Sequence, residues 1–157
     1  MPSPLPSAAP PAGAERRPPE TAGRPVLLFD GVCNLCDGAV QFVMRHDPGE
    51  RFLFASLQSE AARPYLDRAG LGADYLASLV LVDEAGRIHT GADAALGVGR
   101  RLRAPWRHLA AAARAVPRPV REAVYRAVAR GRYRVFGKRE ACRIPTPAER
   151  ARFLEDG

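Results

Sequence analysis

The chain has 157 residues, of which 46% are hydrophobic, and this suits one folded domain with a substantial core. Its net charge of +7 is unevenly spread: residues 1–99 carry 8 basic and 12 acidic side chains, whereas residues 100–157 carry 16 basic and 5 acidic ones. No apolar run reaches the roughly 18 residues of a transmembrane helix. Three cysteines do not make the even-numbered framework of a small secreted protein.

Residues 1–24 predict a disordered leader. They contain seven prolines and almost no bulky apolar side chains, and proline disfavours both helix and sheet. The leader also lacks the apolar segment of a signal peptide. We therefore expect a cytosolic protein, in which a free CxxC pair stays reduced or cycles.

Residues 25–104 predict alternating strands and helices in the order β-α-β-α-β-β-α. The first two strands, joined by a helix, should pair in parallel with a right-handed crossover, and the last two should form an antiparallel hairpin. Expected strands are 26–29, 51–57, 79–82 and 87–90, and the expected helices run from the CxxC pair to His46, over 59–69 and over 92–102. This pattern predicts an α/β core. Along the second strand, Phe52 and Phe54 should face one side of the sheet and Leu53 and Ala55 the other.

Residues 105–157 predict a basic helical extension packed on that core. One helix is expected over 105–116, a second from Pro119 to a stop at Gly131, and a short third from a capping box at Thr146 to Leu154. Beyond Gly131 we expect Tyr133, Val135 and Phe136 to pack on the core. The positive field favours acidic partners, whether protein, nucleic acid or anionic lipid, although an Arg-rich solvated surface without nucleic-acid function is the simpler interpretation.

The strongest chemical signal is the pair Cys33 and Cys36. The apolar run 26–29 ends at Asp30-Gly31, and the pair then opens a segment with helical apolar spacing. Residues three apart share a helix face, and a helix N-terminus favours a thiolate, which is the nucleophile in disulfide exchange. We expect Cys33 to be the exposed attacking thiolate and Cys36, one turn further on, to resolve the mixed disulfide.

Asp30 has two interpretations. In the first, Asp30 only forms an Asp-Gly turn, and its carboxylate accepts hydrogen bonds from nearby backbone N–H groups. Alternatively, a partly buried Asp30 carboxylate takes a proton from Cys36 during resolution. A carboxylate close to Cys33 would disfavour that thiolate, so a catalytic Asp30 should serve Cys36.

The CxxC pair could instead be half of a zinc site, which needs four ligands. The other candidate ligands are Cys142 and the three histidines, His46, His89 and His108, and none of them is paired in spacing with another. A dithiol without a metal or other cofactor is therefore the preferred interpretation. Cys142 is expected to be a small buried side chain, with a third redox or metal role as the alternative.

The segment Phe29-Asp30-Gly31-Val32-Cys33-Asn34-Leu35-Cys36 resembles the signature of the DCC family of thiol–disulfide oxidoreductases, named after Asp-x-x-Cys-x-x-Cys. The resemblance continues through 54–59, 90–96, 133–137 and 142–146. It implies a thioredoxin-like fold and protein-disulfide reductase or general exchange activity. Thioredoxins carry a cis-proline before the third core strand, where it helps to bind substrate, and residues 75–79 here contain no proline, so substrate docking should differ.

Together these features predict a thiol–disulfide oxidoreductase with the dithiol Cys33/Cys36, Asp30 as an auxiliary group and no cofactor. Its partners would be a disulfide-containing protein or a small thiol substrate, and an external reductant. The alternative is a binding module, whose basic helices engage an acidic partner or a membrane surface while the CxxC pair is structural.

Overall fold

The computed structural model describes residues 23–31, 33–72, 75, 78–137, 147 and 149–154. Residues 1–22 of the expected leader and Cys142 lie outside the described residues. The four strands are β1 Val26–Phe29, β2 Leu53–Ser56, β3 Val80–Val82 and β4 Ile88–Thr90. The helices are α1 Asn34–His46, α2 Arg63–Arg68, α3 Gly91–Gly99, α4 Trp106–Ala113 and α5 Arg118–Phe136, and short 3₁₀ turns occur at Glu60–Ala62 and Arg150–Arg152.

The strands form one mixed sheet in the order β2-β1-β3-β4. β1 pairs in parallel with β2, while β3 is antiparallel to both β1 and β4. The helix α1 connects the two parallel strands, as the βαβ prediction required. The predicted thioredoxin-like α/β fold is therefore confirmed.

The alternation of side chains along the central strand divides the core into two layers. Leu27 and Phe29 of β1 pack with α1 and α3 on one face of the sheet, and Val26 and Leu28 pack with α2 on the other. The β2 residues divide in the same way, as predicted: Phe54 joins the first layer and Leu53 the second. The loop that follows β1 is itself buried at Asp30, Gly31 and Cys33, and it leads to the contact between Asn34 and the end of α5.

Three predictions for the extension were wrong. Val135, which was expected to pack on the core, has 73% of its surface exposed. The helix α5 continues through Gly131 and ends at Gly137, whose φ of 85° places it in the left-handed region. There the Gly137 N–H donates to the carbonyl of Tyr133 at 3.0 Å, which closes the helix. The expected terminal helix is a 3₁₀ turn followed by a parallel bridge from Phe153 to Phe54, so this segment extends the sheet beside β2.

The helices α4 and α5 contact the core through α3, and α5 also contacts α1. The longer α5 therefore reaches the start of α1, where the cysteines lie. The division into a core of residues 25–104 and an extension of residues 105–157 stays a prediction.

Candidate active site

The two cysteines lie at the start of α1, where the sequence places them. Cys33 is the N-cap residue, with extended backbone angles of φ −85° and ψ 122°, and its Sγ accepts the Cys36 N–H at 3.5 Å. The Cys33 N–H in turn donates to the Asp30 carbonyl at 3.2 Å, which closes the loop after β1. Neither cysteine forms a disulfide. The predicted position of the dithiol at a helix N-terminus is confirmed.

The expected exposure of Cys33 is wrong. Cys33 has 0% of its surface accessible to solvent and Cys36 has 8%, so the first cysteine is the more buried of the two. The end of α5 packs on this loop: the Asn34 N–H donates to the Gly137 carbonyl at 3.4 Å. A Cβ atom on Gly137 would lie only 2.9 Å from the Asn34 Nδ2 atom. Because α5 lies a hundred positions further along the chain, the local pattern around the cysteines carries no sign of this covering.

Cys36 is held as a neutral thiol. Burial raises its pKa to about 12, and the charge of Cys33 and a hydrogen bond with the Cys33 side chain act in the same direction. A hydrogen bond from the Asp30 backbone and the nearby charge of Arg132 oppose this shift only in part. Cys36 therefore needs a proton acceptor before it can act as a nucleophile.

The Asp30 carboxylate is buried, with 2% of the residue exposed, and it is bound by side chains from distant parts of the chain. Its Oδ1 accepts from the Gln58 Nε2 at 2.7 Å, and its Oδ2 accepts from the Tyr133 hydroxyl. The Arg132 Nη2 lies 3.6 Å from the same Oδ2. Asp30 is thus more than a turn residue, since α5 supplies both a positive charge and a hydroxyl to its buried carboxylate.

Sequence reasoning did not identify Arg132, Tyr133 or Gln58 as neighbours of Asp30. Burial raises the pKa of Tyr133, and its hydrogen bond to the Asp30 carboxylate raises it further, which keeps the hydroxyl protonated as a donor. Gln58 and Tyr133 both lie in segments that carry the family resemblance, and that resemblance is the sequence feature that could have identified them as site residues. Tyr133 was expected only to pack on the core.

The segment before β3 is held by hydrogen bonds in place of a proline. The Leu79 N–H donates to the Tyr125 hydroxyl of α5 at 2.9 Å, and the Ser78 hydroxyl accepts the Gly91 N–H at 3.2 Å. Burial raises the pKa of Tyr125, and the charge of Cys36 contributes to this rise, so the two side chains are electrostatic neighbours. A side chain of α5 therefore binds the backbone N–H group that directly precedes the third core strand.

Two histidines have structural neighbours. The His46 Nδ1 lies 2.8 Å from the Phe42 carbonyl and its ring packs against Trp106, while the His89 Nε2 lies 2.9 Å from the Asp83 Oδ2. Across the described residues, no group of three or more His, Cys, Asp or Glu side chains is arranged to hold a metal ion. Nor does any helix in those ranges combine the length and apolar character needed to cross a membrane.

The chain is similar to known proteins. The family model described as DCC1-like thiol-disulfide oxidoreductase matches residues 27–138. Uncharacterized protein YuxK of Bacillus subtilis (strain 168) is 48% identical over 129 residues, which cover 82% of this chain and 93% of that protein. The protein named DCC family protein At1g52590, chloroplastic, from Arabidopsis thaliana is 40% identical over 121 residues, which cover 77% of this chain and 70% of that protein. No solved structure matches the chain.

The matched region begins in β1 and ends just beyond α5, so it includes both cysteines, Asp30 and the α5 residues that bind its carboxylate. With more than half of its length matched and two relatives above 30% identity, the chain belongs to the DCC1-like thiol-disulfide oxidoreductase family.

Proposed function

We propose that this protein reduces disulfides through the dithiol Cys33/Cys36. The Cys33 thiolate attacks one sulfur of the substrate disulfide, so that a mixed disulfide forms and one substrate thiolate leaves. Cys36 then loses its proton and attacks the Cys33 sulfur, which forms the Cys33–Cys36 disulfide and releases the second substrate thiol. The substrate gains two electrons, and an external dithiol reductant returns the protein to its reduced form.

The observation that carries this proposal is that the two neighbouring sulfur atoms lie in different environments. The Cys33 Sγ lies at the helix N-terminus and accepts the Cys36 N–H, an arrangement that stabilises a thiolate. Cys36, in contrast, has a pKa raised to about 12. The difference supports Cys33 as the attacking sulfur and Cys36 as the resolving one.

We assign Asp30 the role of proton acceptor for Cys36. Its backbone hydrogen-bonds to Cys36, and its buried carboxylate belongs to the loop that leads directly to the two cysteines, which makes it a candidate base. Arg132 and Tyr133 hold that carboxylate in place.

The burial of Cys33 adds one requirement. A substrate sulfur reaches Cys33 only after the residues that cover the loop move, and the contact of Gly137 with Asn34 is one that must open. The exchange rate should therefore depend on this opening as well as on the chemistry.

Trapping the mixed disulfide tests the mechanism. A Cys36→Ser variant, mixed with a protein that contains an accessible disulfide, should accumulate a covalent adduct through Cys33. The matched Cys33→Ser variant should form none by this route, and the double variant controls for Cys142. Mass spectrometry after non-reducing electrophoresis identifies the attached cysteine. A Cys36→Ser protein that captures nothing would contradict the proposal.

The alternative function is that of a binding module with structural cysteines, and the complete burial of Cys33 favours it. Thiol alkylation in the folded protein separates the two functions. If the protein is an oxidoreductase, iodoacetamide should alkylate Cys33 near neutral pH much faster than the protein unfolds globally. A binding module should react only at the rate of unfolding.

The proposed substrate is a thiol or disulfide compound, as the family implies. The proposed compartment is the cytoplasm. Three cysteines without a secreted disulfide framework support that compartment. Fractionation of the producing cells tests it directly.

A further inference from the structure

The Asp30 carboxylate lies inside the protein, so a proton that it receives needs a path to solvent. Only 2% of the surface of Asp30 is exposed. In the proposed mechanism Asp30 takes one proton from Cys36 in every turnover, and the present inference rests on that role. Because the carboxylate has almost no direct contact with water, the path by which its proton leaves can limit the step in which Cys36 attacks.

Three side chains bind this carboxylate, and two of them cannot carry a proton away from it. The Gln58 Nε2 donates to the Asp30 Oδ1 at 2.7 Å, while its Oε1 accepts the Gly31 N–H at 3.1 Å. An amide side chain held at both ends positions the carboxylate without exchanging protons with it. The Arg132 guanidinium, 3.6 Å from the Asp30 Oδ2, only donates, because arginine keeps its proton in proteins.

Tyr133 differs from both, because a hydroxyl donates and accepts at the same atom. Its hydroxyl donates to the Asp30 Oδ2 and accepts from the Arg132 Nη2 at 3.4 Å. The Tyr133 side chain is partly exposed, and the next two residues, Arg134 and Val135, are exposed. The tyrosine therefore lies between a buried carboxylate and the surface of the protein.

We propose that Tyr133 is the relay residue that carries the Cys36 proton from Asp30 to solvent. As the Cys36 S–H bond breaks, its sulfur bonds to the Cys33 sulfur and the substrate sulfur leaves Cys33 as a thiolate. The Cys36 proton goes to Asp30, the Asp30 proton goes to the Tyr133 oxygen, and the Tyr133 hydroxyl gives its own hydrogen to water. Asp30 and Tyr133 end the step with the charges they had at its start.

Arg132 provides a reason for these transfers to occur together. Its guanidinium is itself buried, with 8% of the residue exposed, and it faces the Asp30 carboxylate. If Asp30 kept the proton, this buried cation would face a neutral acid and the favourable ion pair would be lost. Passing the proton on through Tyr133 restores the pair at once. The relay should therefore affect the attack by Cys36 and not the earlier attack by Cys33.

Rapid mixing with the chromogenic disulfide dithiobis(nitrobenzoate) separates the two attacks. With one equivalent of reagent, a first coloured nitrothiobenzoate is released when Cys33 attacks and a second when Cys36 attacks. This leaving group departs as a thiolate and takes no proton. The full-length wild type is compared with Tyr133→Phe, and the double variant Cys33→Ser, Cys36→Ser gives the contribution of Cys142, which is subtracted. Tyr65→Phe is the matched control, because it removes a buried tyrosine hydroxyl on the opposite face of the sheet.

We expect Tyr133→Phe to slow the second release by at least about tenfold and to change the first by less than about twofold. Tyr65→Phe should change neither release by more than about twofold. In mixtures of ordinary and heavy water, the second rate of the wild type should fall along a curve as the deuterium fraction rises, because several protons move in one step. The Tyr133→Phe protein should give a straight line, since the relay proton is gone. A purely structural role would slow the reaction without changing this shape.

Three results would overturn the inference: a second release that Tyr133→Phe leaves unchanged, a slowed release with the same curve as the wild type, or a straight line for the wild type itself. The second result would mean that Tyr133 only positions Asp30. The third needs no variant, so the test stands even if Tyr133→Phe does not fold. A wild type that releases a single nitrothiobenzoate from its dithiol would contradict the proposed function as a whole, whereas two normal releases without a response to Tyr133→Phe would remove the relay alone.

Discussion

At the scale of single residues, the environment of Cys36 sets how the dithiol responds to pH. Its pKa of about 12 lies above the ordinary thiol value near 9, so the folded protein binds this proton more tightly than the unfolded chain does. The stability that results is fully present below about pH 9 and is lost as the pH rises towards about 12.

We therefore predict that a Cys36→Ala variant loses less stability than the wild type between about pH 9 and about pH 12. Urea unfolding at a series of pH values measures this difference. Tyr65 and Tyr133 also have raised pKa values, and they cancel because both proteins contain them, whereas the part of the Tyr125 shift that comes from Cys36 belongs to the measured difference. Parallel stability curves for the two proteins would show that Cys36 ionises normally.

Tyr133 is the second residue whose contribution can be measured. A Tyr133→Phe variant should lower the free energy of unfolding by about 1–3 kcal/mol, because a buried carboxylate loses a hydroxyl donor. The matched variant Tyr125→Phe removes a hydroxyl from the same helix, but its partner is the neutral Leu79 amide, so a cost nearer 1 kcal/mol is expected. Denaturant unfolding measures the free energy of unfolding of both variants. A larger loss for Tyr125→Phe than for Tyr133→Phe would contradict the assignment of the Tyr133 hydroxyl as a donor to Asp30.

At the scale of elements, the C-terminal end of α5 decides how the dithiol is covered. Within the six residues from Arg132 to Gly137, the end of α5 and its C-cap both bind the Asp30 carboxylate and touch Asn34 between the cysteines. The positive φ of Gly137 turns the chain at this contact.

We predict opposite effects for alanine at the two glycines of this helix. Gly137→Ala should destabilise the protein by about 1 kcal/mol or more, since its φ is +85° and the new Cβ would lie 2.9 Å from Asn34. Gly131→Ala should stabilise it by up to about 1 kcal/mol, because a helical position gains a Cβ with no neighbour nearer than 3.9 Å.

Thermal unfolding measures both glycine variants. Alkylation of Cys33 should also be faster in Gly137→Ala and unchanged in Gly131→Ala, since only the first loosens the cover of the loop. Equal alkylation rates in the two variants would mean that this contact does not control access to Cys33.

At the scale of the whole molecule, the C-terminal end of the described chain packs beside β2 and the end of α1. Arg152 reaches back to Asp47 at the end of α1, where its Nη2 lies 2.5 Å from the carboxylate Oδ2, and both side chains are almost wholly buried. The same oxygen accepts the Phe52 N–H at 2.8 Å, so this carboxylate joins α1, β2 and the terminal 3₁₀ turn.

An Arg152→Ala variant should therefore lose about 3–5 kcal/mol of unfolding free energy, because it leaves the buried Asp47 charge without its cation. The exposed pair of Arg51 with Glu84 provides the control, and Arg51→Ala should cost less than about 1 kcal/mol. Denaturant titration of both variants distinguishes the cases, and similar costs would show that Arg152 is not needed for this junction.

The local sequence was sufficient for the elements and for the position of the dithiol. Alternating apolar residues over 52–55 predicted which side chains of β2 face each layer, and the Asp-Gly turn before Cys33 predicted where α1 begins. These features depend on neighbours within a few residues, and short-range periodicity and turn chemistry determine them. Gly131 was misjudged because a glycine inside a helix costs only about 1 kcal/mol relative to alanine, so that the helix continues through it.

The environment of the dithiol, in contrast, was decided only by the tertiary structure. Cys33 is buried among core side chains from several elements. Arg132 and Tyr133, which bind the Asp30 carboxylate, lie about a hundred residues further along the chain, and Tyr125, which binds the Leu79 N–H, lies 46 residues from it. Solvent access and the pKa of a thiol depend on what lies within a few ångströms, whatever its distance along the chain. The sequence by itself determined where the two sulfurs sit and that they follow a carboxylate residue; only the tertiary packing determined that both sulfurs are buried and that burial raises the pKa of Cys36.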